Sequence, residues 1–155
     1  MLDFCIIGSG ISGSTIANCL NKKYKLLLYD KAKGAGGRSS FKRYKGNIGF
    51  DHGLQYLSPR SKEFKSFTNS LIKKRVIKHW KGNHKFLNER VSRDKKHIKL
   101  IGFKGNNDIS KYLLKDIDCK FQSELIGIKR HKNCWHLKFK DNSFIFSKNL
   151  IITAP

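Results

Sequence analysis

Residues 1–30 combine two apolar runs with one helical pattern. Phe4 to Ile7 is an unbroken apolar run that stops at Gly8, which is typical of a buried strand. Ser12 to Lys22 places apolar or small residues on one face of a helix. Leu26 to Tyr29 is a second apolar run, ending at Asp30. The order strand, helix, strand predicts one βαβ unit with two parallel strands.

The middle of the chain predicts short elements separated by turns and basic stretches. Its predicted elements are a glycine-rich loop at 34–38, a hairpin from Phe41 to Phe50 turning at Lys45-Gly46-Asn47, a helix from Ser61 to Lys73, short strands within 76–103, and a helix from Asp108 to Lys115 capped by Asn107 or Asp108.

The last part of the chain reads as β-structure. Three runs separated by turn dipeptides predict a meander, namely Glu124 to Arg130, Cys134 to Lys140 and Ser143 to Phe146. Leu150 to Thr153 predicts one further buried strand, and we expect a strand in this position to expose a sheet edge. The predicted fold class is therefore α/β, with a Rossmann-like domain over residues 1–155 built from a βαβ start, a β-meander and a parallel sheet.

The composition fits one folded domain that carries an unusual charge. The chain has 155 residues, 39% of them apolar, and a net charge of +22. Such a charge is typical of nucleic-acid-binding proteins. The lysines are spread over the whole sequence, however, which also fits compositional drift in an AT-rich genome. We therefore expect no nucleic-acid partner, while a basic nucleic-acid-binding protein stays open as an alternative function.

The cysteines and the N-terminus bear on location. Cys5, Cys19, Cys119 and Cys134 form no CxxC pair and have no histidine at metal spacing, so neither a structural disulfide nor a metal site is expected. The N-terminus has no signal-peptide pattern, and no run has the length of a membrane span. These observations predict a soluble cytoplasmic protein without a membrane partner.

A glycine motif follows the first predicted strand. Gly8, Gly10 and Gly13 form the pattern G-x-G-x-x-G, in which the glycines allow a tight turn, close approach of a pyrophosphate, and tight packing of helix on strand. The free amides at Ser9 to Ser12, including Ile11, are expected to face the phosphates. The motif therefore predicts a dinucleotide site at the start of the helix.

Asp30 supports this prediction because it ends the next strand, about twenty residues further on, where a carboxylate accepts hydrogen bonds from ribose hydroxyls. An acid there also disfavours a 2′-phosphorylated dinucleotide. The alternative is an ion-paired surface aspartate.

A second glycine loop, Gly34-Ala35-Gly36-Gly37-Arg38, follows Asp30 and Lys31. It would return Arg38 to the nucleotide, where a guanidinium pairs well with pyrophosphate oxygens. Nicotinamide dehydrogenases have no need of such a loop, so this feature favours FAD over NAD.

These motifs resemble the renalase-like branch of FAD-dependent amine-oxidase-type flavoproteins. Asp30-Lys31 with Gly36-Gly37-Arg38 resembles the family's second flavin motif. Asp51-His52-Gly53-Leu54-Gln55-Tyr56 resembles its D-x-G-A-Q-Y motif, with Leu54 in place of the usual alanine. Looser likenesses cover Phe103 to Leu114, Asn133 to Leu137 and Leu150 to Pro155.

The resemblance covers the first half of a family member. It implies that about 59–105 begins an excursion into a substrate domain, and that the rest of that domain and a C-terminal flavin segment are absent. It also implies FAD contacts from Ser12, Asp30, Arg38, Gln55, Tyr56 and, through its main chain, Leu125. The complete set of candidate cofactor-binding residues is Gly8, Ser9, Gly10, Ile11, Ser12, Gly13, Asp30, Lys31, Gly37, Arg38, Gln55, Tyr56 and Leu125.

The implied reaction is hydride removal from an amine or a dihydronicotinamide-type small molecule. No catalytic residue can be assigned; His52 is a candidate only because it lies within the flavin motif. We expect a truncated or split gene product that a complementary C-terminal chain would complete. A non-catalytic dinucleotide-binding remnant is the remaining alternative.

Overall fold

The computed structural model describes residues 1–45, 48–81 and 98–154. The elements are β1 (Leu2–Ile7), α1 (Ile11–Leu20), β2 (Leu26–Tyr29), a 3-10 turn (Gly37–Ser39), β3 (Phe41–Arg43), β4 (Gly49–Asp51), α2 (Lys62–Lys73), β5 (Ile77–His79), β6 (Leu100–Gly102), α3 (Asp108–Leu113), β7 (Cys119–Lys120), β8 (Leu125–His131), β9 (Cys134–Phe139) and β10 (Phe144–Ile152).

Most predicted elements are confirmed within one or two residues. The βαβ unit, both later helices and the meander are present, and β3 pairs with β4 as the expected hairpin. The predicted turn at Gly46 and Asn47 lies outside the described residues, as does most of the basic stretch between β5 and β6. The short strand β7 was not predicted.

One six-stranded sheet organises the chain, in the order β7-β2-β1-β10-β9-β8. The strands β7, β2, β1 and β10 run parallel to one another, whereas the β10–β9 and β9–β8 pairs are antiparallel. The parallel half carries the βαβ unit, and the antiparallel half is the meander.

The prediction of a separate strand at Leu150 to Thr153 was wrong, because β10 runs without a break from the meander into the parallel sheet. Its first half pairs with β9 as far as Ser147, and the strand pairs with β1 from Ser147 onward. The expected open edge is nevertheless present among the described residues, because Leu150 to Ile152 pair with β1 and with no strand on their other side. Within the described part of the chain, the residues of β10 before Ser147 pair with β9 alone, those after it pair with β1 alone, and Ser147 pairs with both strands.

The sheet has a separate apolar core on each face. On one face, α1 and the segment after α3 pack against Ile6 and Leu28, with Ala17 and Leu114 in the same cluster. On the other face, the meander packs against the parallel strands. There, the ring of Tyr29 stacks on that of Phe139 at 4.2 Å between centroids. The parallel half is thus covered by helices on one face and by the meander on the other.

A third core joins α2, α3 and the β5–β6 pair. Leu71, Ile77, Leu100 and Ile109 form its centre, and all four are almost fully buried. The hydroxyl of Ser61 caps α2 by accepting the Phe64 amide at 3.1 Å. This unit includes most of the region that the sequence suggested as the start of a substrate domain, a division that stays a prediction.

The four cysteines are free thiols. Burial raises the pKa of Cys5 to about 12 and that of Cys119 to about 11, so both remain neutral near pH 7. No helix in the described part of the chain is both long and apolar enough to cross a membrane.

Close packing between α1 and the turn after β1 fixes the start of the helix. Gly8 has a φ of +104°, which glycine adopts without strain. A Cβ on Gly13 would lie 1.9 Å from the carbonyl oxygen of Gly8 and 2.8 Å from Oγ1 of Thr153. The helix could carry a side chain at this position only by moving away from the strand.

We therefore expect Gly13→Ala to lower the free energy of unfolding by about 3 kcal/mol, because the blocking atom belongs to the backbone. Urea denaturation measures this change. Gly34→Ala is the matched control: no atom lies within 4 Å of a Cβ there, so its effect should stay within about 0.5 kcal/mol. Equal stability of the two variants would contradict the packing argument.

Candidate functional site

A cavity of about 620 Å³ lies where β1, β2 and β10 end and α1 begins. Ligands of open α/β sheets bind in this position, outside the carboxyl ends of the strands. The predicted site residues that line it are Gly8, Gly10, Ile11, Ser12, Asp30, Lys31, Gly37, Arg38 and Leu125. The fold thus brings together residues from four separate parts of the sequence.

The first turn of α1 presents backbone donors to this cavity. Gly10 is the N-cap residue, no side chain caps the helix, and the first turn contains no acidic residue. The amides of a helix start and the positive end of its dipole favour an anion, typically by about 0.3–1 kcal/mol. This end of the cavity is suited to phosphate oxygens.

The prediction that the Ser9 amide also faces the phosphates was wrong. That amide donates to Oδ2 of Asp30 at 2.6 Å, and the Ser9 hydroxyl donates to the same oxygen at 2.5 Å. Ser9 is fully buried and does not line the cavity. The glycine turn lies close to the end of β2, so the Ser9 amide already has the Asp30 carboxylate as its acceptor and is not available to a phosphate.

These contacts also fix the orientation of Asp30. Its Oδ1 accepts a hydrogen bond from the amide of Ala32 at 2.8 Å, so both carboxylate oxygens are fixed by hydrogen bonds within the chain. A carboxylate has about four acceptor positions, and three are filled here. Asp30 therefore keeps acceptor capacity for a hydroxyl group in the cavity, in a fixed direction.

The second glycine loop lies directly against the first. Gly36 donates its amide to the carbonyl of Ser9 at 3.1 Å, and a Cβ on Gly37 would lie 3.1 Å from the Cα of Gly10. Both Gly36 and Gly37 have positive φ, at +140° and +52°. This contact between backbones brings Arg38 to the cavity wall.

Arg38 is held through its backbone and keeps its charged group unengaged. Its carbonyl accepts the Leu54 amide at 2.9 Å. Across residues 1–45, 48–81 and 98–154, its guanidinium forms neither an ion pair nor a hydrogen bond. An exposed guanidinium beside uncapped helix amides gives the cavity a second group for an anion.

The structure adds lining residues that the sequence did not indicate. Thr153 donates its hydroxyl toward the carbonyls of Ile7 and Gly8, at 3.1 and 3.2 Å, and so joins the end of β10 to the glycine turn. Ser123 and Glu124 line the cavity beside Leu125. The Ser123 amide donates to the Asp30 carbonyl at 2.9 Å. The sequence signal that could have indicated Ser123 and Glu124 is their position next to Leu125.

Gly13 and the Gln55-Tyr56 pair lie outside the cavity lining. Gly13 acts through packing. The ring of Tyr56 lies 5.7 Å from that of Trp80, with the Lys99 ammonium 4.9 Å from its centroid. Gln55 is exposed, and its carbonyl is 3.4 Å from the Asn106 amide nitrogen. A flavin contact for this pair stays a prediction.

His52 is exposed and shares a hydrogen bond of 2.9 Å with the Ser40 hydroxyl through Nε2. It does not line the cavity. Within the described ranges, no group of three or more His, Cys, Asp or Glu residues is arranged to hold a metal ion. The geometry gives the cavity binding groups and assigns no acid-base residue.

The profile of a family described as an NAD(P)-binding Rossmann-like domain matches residues 6–71. That range contains both glycine loops and Asp30. The chain has a Rossmann-like fold. The match begins within β1 and extends almost to the end of α2. It therefore includes the cavity-lining residues of both glycine loops and Arg38.

Two solved structures share the Rossmann-like fold of this chain. Tetracycline destructase Tet(51) superposes with a TM-score of 0.61 at 19% identity, over 97% of this chain and 38% of its own length. A putrescine oxidase mutant from a redesign of cofactor binding superposes with a TM-score of 0.72 at 12% identity, over 99% of this chain and 58% of its own. The chain spans less than two thirds of either protein.

The Ser9 hydroxyl offers a test of whether Asp30 accepts a ligand hydroxyl group in the cavity. Ser9→Ala removes one of the bonds that orient Asp30 and leaves the backbone bond in place. We expect adenosine diphosphate to bind about tenfold more weakly, since hydrogen bonds to a charged group contribute about 1.5–3 kcal/mol. Isothermal titration calorimetry with this ligand and its 2′-deoxy analogue measures the effect, and the preference for the 2′-hydroxyl should shrink.

Asp30→Asn is the control for that experiment. In the Asp30→Asn background, adding Ser9→Ala should change the 2′-hydroxyl preference no further, because both residues act through the same carboxylate. A Ser9→Ala protein that keeps the full preference would show that Asp30 needs no support from Ser9.

Proposed function

We propose that the cavity binds the adenosine diphosphate part of FAD and that the chain is the N-terminal portion of an FAD-dependent oxidoreductase. The observation that carries this proposal is the convergence of three groups on one cavity: the start of α1, which has no side-chain cap, the fixed carboxylate of Asp30, and the guanidinium of Arg38, which has no partner among the described residues. Phosphates would lie against the helix start and Arg38, and the ribose against Asp30.

The choice of FAD over a nicotinamide dinucleotide rests on the second glycine loop. Its backbone contact with Gly10 brings Arg38 close to the amides that would hold the pyrophosphate. Two separate binding groups for one pyrophosphate, the helix amides and the guanidinium, suit a cofactor that stays bound, because each contact alone is weak. The Gly-Gly-Arg sequence in the flavoprotein family of the sequence analysis supports the same choice.

The substrate we propose is an amine or a dihydronicotinamide-type small molecule, as in renalase-like flavoproteins. The name of one structural neighbour, an oxidase of the amine putrescine, supports an amine. FAD when bound would supply the redox chemistry by accepting a hydride. The residues of this chain would hold and orient the adenine nucleotide; none of them is assigned a proton-transfer role.

Arg38→Ala tests the cofactor assignment. Loss of the guanidinium should weaken FAD binding by about tenfold or more, since charge-assisted bonds contribute about 1.5–3 kcal/mol each. Quenching of flavin fluorescence on titration with the purified protein measures the affinity. Arg43→Ala is the matched control, because Arg43 is also exposed but lies outside this cavity, and its affinity should match that of the wild type.

The outcome separates the candidate functions. If the wild-type protein binds adenosine diphosphate but binds FAD no more tightly than nicotinamide dinucleotides, the flavin assignment is contradicted and a general dinucleotide site is left. Equal FAD affinity in the Arg38→Ala and Arg43→Ala variants would place the nucleotide elsewhere.

We further propose that a complementary polypeptide completes the site of oxidation. The support is the one-sided pairing of β10 beyond Ser147, which leaves backbone donors and acceptors on its other side, and the half-exposed side chain of Ile152. A strand added there would lie beside the cavity wall formed by Ile152 and Thr153. Such a segment would contribute the substrate surface.

This proposal predicts low oxidase activity for the chain on its own. We expect the purified protein to bind FAD weakly and to turn over no amine or dihydronicotinamide, because substrate contacts are missing. Oxygen consumption in the presence of excess FAD measures turnover. A monomer with tightly bound FAD and steady turnover would refute the need for a complementary segment while leaving the flavin assignment intact.

A further inference from the structure

The meander has an outward face that the cavity does not use. Directly opposed residues of antiparallel strands share one face of a sheet. Phe144 opposes Lys138, Phe146 opposes His136, and Lys129 opposes His136 from the other side. These five residues define the outer meander face, since the alternate positions point into the core against the parallel strands.

Three rings on this face stack in a row. The imidazole of His136 lies 4.7 Å from the ring of Phe146 at an interplanar angle of 12°, and 5.0 Å from that of Phe144 at 27°. Phe144 and Phe146 are 51% and 48% exposed. Two large apolar rings held in order yet half open to water mark an interaction surface better than scattered exposed residues do.

The charge around these rings is positive. The Lys138 ammonium lies 5.7 Å from the centroid of Phe144. Within the described ranges, neither Lys129 nor Lys138 forms an ion pair, whereas Lys148 further along β10 is bound to Asp3 at 2.8 Å. Folding therefore places unneutralised lysines beside stacked rings, although the lysines are spread evenly along the sequence.

We propose that the outer meander face binds single-stranded nucleic acid. Unpaired bases would extend the ring stack at Phe144 and Phe146, and Lys129 and Lys138 would pair with phosphates. Aromatic rings on an antiparallel sheet next to cations bind single strands in this manner. A polyanion also complements the chain's net charge of +22, which an apolar polypeptide would leave unbalanced.

The expectation against a nucleic-acid partner rested on the even spread of lysines along the sequence. Strand pairing changes that argument, because residues from three strands meet on one face. The proposal does not depend on the dinucleotide cavity, and far-UV circular dichroism serves as an independent check that each variant is folded.

Fluorescence anisotropy with a labelled fifteen-nucleotide oligothymidylate tests the proposal. The wild type should bind at low salt, with affinity that falls as salt rises, and should bind a duplex of the same length more weakly. Phe146→Ala should weaken oligothymidylate binding by about tenfold, since a stacked base loses its platform. Phe146→Tyr should retain it because the ring face is kept.

Phe103→Ala is the matched control. Phe103 is 46% exposed and has the Lys78 ammonium 5.2 Å from its centroid, but it directly follows β6, a strand of the unit that contains α2 and α3. Its removal should leave oligothymidylate affinity within about twofold of the wild type. A loss equal to that of Phe146→Ala would show that the effect is not specific to the outer meander face and would overturn the proposal.

Two further results would also overturn it. Equal affinity for single strand and duplex would exclude base stacking. Absence of oligothymidylate binding by folded protein would overturn the proposal, and capture of that protein by vesicles containing phosphatidylserine would then indicate a membrane surface as the partner instead.

Discussion

The close contact between α1 and the turn after β1 is the constraint on which the cavity depends. Gly13 lies against the carbonyl of Gly8, and Thr153 closes the same turn from the end of β10. The ends of two strands and the start of one helix therefore meet within a few ångströms. A larger residue at either glycine would move the helix and carry its amides away from the cavity, whatever the remaining residues were.

That contact also decides how the backbone donors are divided. Because the turn is tight, the amide of Ser9 reaches Asp30 and serves the carboxylate, while the amides of the first helical turn stay available. A carboxylate beside a phosphate site would ordinarily repel the ligand. Here its oxygens accept hydrogen bonds from Ser9 and Ala32, which stabilise the negative charge and fix its direction before any ligand binds. The arrangement separates an anionic end of the cavity from a cationic one.

The predictable parts of this structure are those whose signals are local. The βαβ unit follows from two apolar runs and one helical face, and the glycine motif from spacing. The sequence therefore predicted β1, α1, β2 and nine of the nineteen residues that line the cavity. The continuity of β10 could not be predicted in this way. Its two halves pair with different partners in different directions, and Phe146 gives no local sign that the strand continues through Ser147. Contacts between distant residues decided that result, as they decided the partner of the Ser9 amide.

Strand β10 also connects the cavity to the outer meander face. Phe146 lies on that face and Thr153 follows the end of the strand at the glycine turn. An extended chain covers about 3.3 Å per residue, so the two positions are separated by roughly 20 Å. One mononucleotide cannot bridge that distance, and a ligand on the face would not occupy the cavity. Because the strand is hydrogen-bonded to a neighbour along its whole length, the two positions keep a fixed relation, and each can be altered by substitution without displacing the other.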